Sequence, residues 1–239
     1  MRVIVCGANG AMGKLLTARL QGCVAGCVSL DGENGVAKTF SELGRCSADI
    51  IIDFSHHSAT ADLLDYAKSC GIAAVICSTG HTEEEKALIH DAAKDIPVFF
   101  SGNMSLGIAV LCGLAKQAAA AFPDADIEIL EVHHNRKADA PSGTANMLFD
   151  ALQTVRPEAK KVCGRAGENK RQKEDISISS LRMGNVVGIH EIHICTHSQT
   201  LTLRHEAHDR GMFADGAIEA AKFLLTKPAG LYTMQDLLN

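Results

Sequence analysis

Two histidines, two cations and an anion-binding turn crowd one short stretch, Glu131-Val132-His133-His134-Asn135-Arg136-Lys137-Ala138-Asp139-Ala140-Pro141-Ser142-Gly143-Thr144. Histidine gives up a proton near neutral pH, and lysine supplies a fixed charge or a second acid. Pro141 opens a turn. Ser142, Gly143 and Thr144 then occupy a helix start, where unpaired backbone N–H groups and the helix dipole favour a carboxylate or phosphate. The chemistry this set supports is protonation of a small anionic molecule. Residues 126–132, apolar and acidic, are expected to form the strand before it. Residues 145–152 are expected to form the helix after it, with Met147, Leu148, Ala151 and Leu152 on one face. The reactive groups then sit on a loop between strand and helix, where side chains reach a ligand. A plainer reading fits the same residues: a solvated strand end followed by an ordinary serine-capped helix. Zinc is disfavoured. No cysteine or carboxylate stands at a recurring metal-ligand spacing nearby, and adjacent strand histidines point to opposite faces.

A second pattern lies at the N-terminus. The apolar run 2–6 reads as a strand, and Gly7-Ala8-Asn9-Gly10-Ala11-Met12-Gly13 leads from it into a helix reaching Leu20. Glycines at 7, 10 and 13 are a spacing variant of the dinucleotide fingerprint. Gly7 would serve the tight turn, Gly10 the close approach of a pyrophosphate, and Gly13 the packing of helix on strand. Residues 24–30 read as the next strand, with Asp31 at its end to accept hydrogen bonds from a ribose. A purely structural glycine turn is the competing reading. The strand, the helix and the acid placed around the glycines favour the cofactor.

Those two patterns need a scaffold, and strands and helices alternate through the first hundred residues to provide it. Strands are expected at 49–54, 73–77 and 98–100, with helices at 58–69 and 83–94. Such alternation implies right-handed βαβ units and a parallel sheet. Asp53-Phe54-Ser55, Cys77-Ser78-Thr79-Gly80 and Ser101-Gly102-Asn103-Met104-Ser105 all follow expected strands. They therefore share the carboxyl edge of the sheet with the first glycine turn and outline a cofactor crevice. After an alanine-rich helix at 106–122 the pattern changes to extended segments at 176–182, 186–196 and 199–208. These suggest an antiparallel or mixed sheet and a second domain. The charged run 165–175 reads as a mobile, solvated loop, and the helix 213–225 as packing back on the first domain. His190, His193 and His197, with His205 and His208, read as cross-strand pairs or exposed groups.

Composition narrows the function classes. The chain has 239 residues, 46% apolar and 21% charged, which suits one large or two modest soluble domains. A net charge of −5 gives no reason to expect nucleic acid as a partner. Nine cysteines, an odd number without a CxxC pair, fit thiols in a reducing cytosol better than a disulfide framework. The chain enters a strand at once, so no signal peptide is expected. Lys116 and Gln117 interrupt the most apolar helix too early for a membrane span.

Together the motifs resemble one family over essentially the whole chain, the 4-hydroxy-tetrahydrodipicolinate (dihydrodipicolinate) reductases. The most specific element is Glu131-Val132-His133-His134 with Lys137 to Ala145. The glycine turn, Asp53-Phe54-Ser55, Ser78-Thr79-Gly80, Gly102-Asn103-Met104-Ser105, Arg182-Met183-Gly184, Val187-Gly188-Ile189-His190 and Phe213-Ala214-Asp215-Gly216-Ala217 also match. The resemblance implies a Rossmann-type domain over 1–104, completed by 211–239. Short hinges would join it to a mixed-sheet α+β domain over 105–210 that holds substrate and builds a homotetramer. It implies a cytoplasmic enzyme of lysine and diaminopimelate biosynthesis that uses NAD or NADP. By the same resemblance, His133 and Lys137 are the proton-transferring groups, and His134, Ser142, Gly143 and Thr144 contact the cyclic dicarboxylate. Gly7 to Gly13, Asp31, Cys77, Ser78, Thr79 and Gly102 to Ser105 are the expected cofactor contacts. An aspartate- or homoserine-type dehydrogenase would share the glycine turn but not the His133 to Thr144 set, and a dinucleotide-sensing module would keep the crevice but lack the acid that His133 and Lys137 supply.

Overall fold

The computed structural model describes residues 1–238 and divides into two compact units. The first comprises Met1–Ser105 and the segment from Arg210 onward. It begins with β1 (Val3–Cys6), α1 (Ala11–Leu20), β2 (Val24–Val28), α2 (Phe40–Leu43) and β3 (Ile50–Asp53). It continues through α3 (Thr60–Cys70), β4 (Ala73–Ile76), α4 (Glu83–Ala92) and β5 (Pro97–Phe100). The second unit, Leu106–Asp209, holds α5 (Leu106–Ala121), β6 (Asp126–His133), α6 (Gly143–Gln153) and β7 (Lys160–Cys163). β8 (Asp175–Arg182), β9 (Gly188–Cys195) and β10 (Thr200–Ala207) complete it. The chain then returns to the first unit with α7 (Gly211–Leu224), β11 (Gly230–Tyr232) and α8 (Met234–Leu238).

In the first unit all six strands are parallel, in the order β11-β5-β4-β3-β1-β2. Every residue of β1, β3 and β4 is buried. That is why these strands read as unbroken apolar runs: helices cover both faces of a parallel sheet and leave no polar side. α7 lies against α1, β4 and β5 of the same unit. β2 stops at Val28, so Asp31 stands three residues beyond the strand, in a turn closed by Gly32 N–H donating to the Ser29 carbonyl at 2.9 Å.

The second unit carries a mixed sheet in the order β10-β9-β6-β8-β7. β10, β9 and β6 pair antiparallel, while β6, β8 and β7 pair parallel. One face is apolar, with Ile127, Ile129, Ile176, Ile178, Ile192 and Ile194 packed under α5 and α6 through Leu111, Leu148 and Leu152. β7 and β11 were not among the expected strands. Lys160-Lys161-Val162-Cys163 has no alternation to reveal it, and β11 has three residues at a sheet edge. The charged run 165–175 is tied down rather than simply solvated. Arg165 donates to Asp175 at 3.0 Å, and Arg171 pairs with Asp126 at 2.6 Å. Among the described residues no helix is long and apolar enough to cross a membrane.

Candidate active site

Register builds a polar band at one end of the apolar face of the mixed sheet. Glu131 and His133 are two apart on β6 and therefore point to the same side as Ile127 and Ile129. Antiparallel pairing sets His190 of β9 opposite Glu131, and parallel pairing sets Arg182 of β8 opposite His133. His205 of β10 follows opposite His190. The Glu131 carboxylate is fully buried and accepts a hydrogen bond from His133 Nδ1 at 2.5 Å. Arg182 donates to both of its oxygens, at 2.9 and 2.8 Å, and the Ser142 N–H donates to Oε1 at 3.2 Å. Burial alone would push this carboxyl up. The hydrogen bonds from His133 and Arg182 outweigh it and hold the group well below the usual carboxylate range.

His190 is the opposite case. Its ring is buried, meets that of His133 edge-on at 5.1 Å, and places Nε2 3.2 Å from Ser142 Oγ. Burial, reinforced by the nearby His133, pushes its pKa down to about 3, so the imidazole is neutral at working pH.

The loop that follows β6 carries the remaining groups. Lys137 Nζ donates to Asp139 Oδ1 at 2.7 Å, and Arg182 reaches the Asp139 carbonyl at 2.6 Å. Ser142 caps α6, its Oγ accepting from the Ala145 N–H at 3.2 Å. Gly143 and Thr144 form the first turn, with no acidic side chain there to compete for an anion. Gly143 is exposed, and a Cβ added to it would meet nothing within 4 Å. His134 lies just past the strand end, half-buried. Thus His133, Lys137 and the Ser142 helix start come together. Glu131, Arg182 and His190 join them although sequence reasoning gave them no site role. Glu131 and His133 share a strand face by spacing alone, which was a usable signal. Register, which no local pattern states, brings in the other two.

In the first unit the expected cofactor residues line the carboxyl edge of the parallel sheet. Gly7 has φ of +79°, and a Cβ there would lie 2.7 Å from the Phe54 carbonyl oxygen. A Cβ at Gly13 would collide with the Gly7 carbonyl, so glycine lets α1 close onto the β1 turn. Gly10 sits at the N-cap of α1 without a capping side chain, and Ala11 and Met12 open a helix free of first-turn acids. This cradle, which side chains would fill, fits a dinucleotide pyrophosphate. Ala8 is buried behind it. Asn9 donates to Asp31 Oδ1 at 2.5 Å, and that hydrogen bond keeps the Asp31 carboxyl below its ordinary value. The stem of Lys38 lies along Gly32 and lines a cleft with Gly7, Ser29 and Leu30. After β4, Ser78 Oγ donates to Asp53 at 2.6 Å, and burial raises the Cys77 thiol well above its usual range. A Cβ at Gly102 would lie 3.4 Å from Thr79, which brings the turns after β4 and β5 side by side. There Asn103 Oδ1 accepts from the Ser105 N–H at 2.9 Å, and Met104 is buried.

Fold and glycine turn together are those of a Rossmann-type dinucleotide-binding protein. Comparison with known proteins sharpens that class. The models described as dihydrodipicolinate reductase, N-terminus, and dihydrodipicolinate reductase, C-terminus, match residues 1–104 and 107–238. The chain is 40% identical over 243 residues to the 4-hydroxy-tetrahydrodipicolinate reductase of Alkaliphilus metalliredigens, covering 100% of this chain and 99% of that one. It is 42% identical over 250 residues to the enzyme of the same name from Caulobacter vibrioides, covering 100% and 97%. Among solved structures, the dipicolinate-bound dihydrodipicolinate reductase from Paenisporosarcina sp. TG-14 matches with a TM-score of 0.76 at 23% identity, over 98% of this chain and 97% of that one. An amine dehydrogenase from Mycobacterium smegmatis matches with a TM-score of 0.61 at 14% identity, over 99% and 95%. Both show likeness of fold. The chain belongs to the dihydrodipicolinate reductase family.

Proposed function

We propose that this chain reduces 4-hydroxy-tetrahydrodipicolinate to tetrahydrodipicolinate, with His133 and Lys137 moving protons and His134, Ser142, Gly143 and Thr144 holding the substrate. One observation carries the reading. A single segment brings a histidine only 9% exposed, His133, next to a helix start without acidic residues, at Gly143.

The residues suit the chemistry. Loss of the 4-hydroxyl as water leaves a C=C bond conjugated with the ring imine. A reduced nicotinamide, when bound, supplies the hydride that enters at C4. The electron pair displaced through the conjugated system reaches the ring nitrogen, and the resulting enamine must take a proton on carbon. His133 and Lys137 are the groups placed to move that proton and those of water loss. The substrate carboxylates meet the first turn of α6 and the Lys137 ammonium, which supply N–H donors and a counter-charge.

The first unit is the dinucleotide-binding part in this reading, through Gly7 to Gly13, Asp31, Cys77 to Thr79 and Gly102 to Ser105. Both NADH and NADPH serve, with a modest preference for NADH. The second unit binds substrate and forms a homotetramer. A reducing, cytoplasmic setting suits the nine thiols. The test is oxidation of NADH and NADPH with substrate freshly generated from pyruvate and aspartate semialdehyde. Turnover dependent on both precursors is expected. Its absence with either cofactor would defeat the proposal.

A further inference from the structure

The groups proposed to move protons and to hold the substrate trace back to one ion pair, between the buried Glu131 and the half-buried Arg182. Glu131 receives N–H bonds from His133, from both arms of Arg182 and from the Ser142 backbone. Arg182 goes on to the Asp139 carbonyl, and the Asp139 carboxylate holds Lys137. An ionised carboxylate only accepts, so the proton on Nδ1 of His133 is committed to Glu131 and the exchangeable position is Nε2. The ring has two further neighbours. A Cβ at Gly188 would lie 3.1 Å from Nε2 and 3.5 Å from Cδ2, so glycine there leaves the Nε2 edge uncrowded, while His190 stands edge-on. The charged and titratable groups around His133 are thus Glu131 on β6, Arg182 on β8 and His190 on β9, with Lys137 linked to them through Asp139.

We infer that Glu131, clamped by Arg182, is the positioning residue of this site: it fixes the tautomer and direction of the His133 imidazole and ties it to the Ser142 turn. The inference rests on the reading of His133 as a proton donor. A rotated ring would turn Nε2 away from the substrate, and the other tautomer would set a nitrogen lone pair against the Glu131 carboxylate. Substrate affinity would suffer less from such an error, because the Ser142 turn keeps its capping bond to Ala145 and its contact with His190. Turnover would fall much further.

Four variants test this. H133Q is the control for the site itself. E131D keeps the charge but withdraws the carboxylate by one methylene. E131Q removes the buried charge, and E131Q/R182Q removes both charges of the pair, so that Arg182 is not left unpaired. The measurements are kcat, KM, dipicolinate affinity and the 15N NMR signature of the His133 tautomer. E131D, E131Q and the double variant are each expected to lose kcat by roughly 10²-fold, the scale of general acid catalysis. Dipicolinate affinity should change far less. The Nδ1–H signature of the unmodified protein should give way to a mixture of tautomers. Near-normal kcat in E131Q or in the double variant, with H133Q inactive, overturns the inference. So does a double variant that regains the turnover E131Q has lost, since Glu131 would then matter only as the partner of Arg182. Normal turnover in H133Q would instead remove the reading of the site on which the inference stands.

Discussion

The Ser142 hydroxyl lies 3.2 Å from Nε2 of His190, 48 residues further along the chain. That contact joins the cap of α6 to β9 of the mixed sheet, and burial keeps the imidazole in that contact neutral. His190 has an ordinary pKa of 6.5 and a folded one pushed down to about 3. Between these values the unfolded chain takes up a proton that the folded protein refuses. Stability is therefore complete above about pH 6.5 and falls as pH drops toward 3. The slope from one such group is at most about 1.4 kcal/mol per pH unit. Urea unfolding at a series of pH values should show H190Q losing stability less steeply in this window than the unmodified protein. Parallel curves would mean that His190 already titrates normally in the fold.

His133→Gln should lower kcat by about 10² to 10⁴, the usual worth of a general acid, while leaving NADH affinity nearly intact. Steady-state kinetics with a separate cofactor-binding titration checks this. A variant with near-normal turnover would remove His133 from the chemistry.

Lys137→Ala removes an ammonium that Asp139 holds 2.7 Å away on the same loop. Both kcat and kcat/KM are expected to fall, because an acid and a counter-charge leave together. A rise in KM with kcat unchanged would make Lys137 a binding residue alone.

Gly143→Val places a branched side chain at the first turn of α6, where the protein itself leaves open space around the added Cβ. The variant should fold with an unchanged melting temperature and bind dipicolinate poorly, since the side chain covers the N–H groups offered to a carboxylate. Unchanged dipicolinate affinity in the folded variant would place the carboxylate elsewhere.

Asp31, held ionised by Asn9, favours a free ribose hydroxyl and repels a 2′-phosphate, which argues for NADH. Lys38 opposes this, because its stem lies on Gly32 in the same cleft as Ser29 and Leu30. A modest NADH preference is expected. Lys38→Met should cost NADPH roughly tenfold in kcat/KM, about 1.4 kcal/mol, and NADH much less. Gly32→Arg should move the preference toward NADPH. It is the less clean variant, since Gly32 has φ of +60° and any Cβ displaces Lys38. Both cofactors must be compared at one ionic strength, and a clear NADPH preference in the unmodified protein would contradict the reading of Asp31.

What could be read from the chain alone was everything that depends on neighbours in sequence. Apolar runs at 3–6, 50–52 and 73–76 announce buried parallel strands because both faces of such strands are covered. The spacing of Gly7, Gly10 and Gly13 announces a close strand-to-helix turn because steric exclusion is local. The stretch from His133 to Thr144 announces a loop between strand and helix for the same reason. Only the tertiary structure decided which residues lie opposite one another. Arg182 and His190 reach Glu131 through strand register, and a slip of one residue would have turned them to the other face. Lys38 reaches Gly32 because the chain after β2 folds back on itself, and no pattern along 31–38 encodes that return. β7 exists because β8 offers it hydrogen bonds, not because Lys160 to Cys163 prefers to be extended. Periodicity records the environment of each residue, whereas a partner distant in sequence is chosen by the packing of the whole unit.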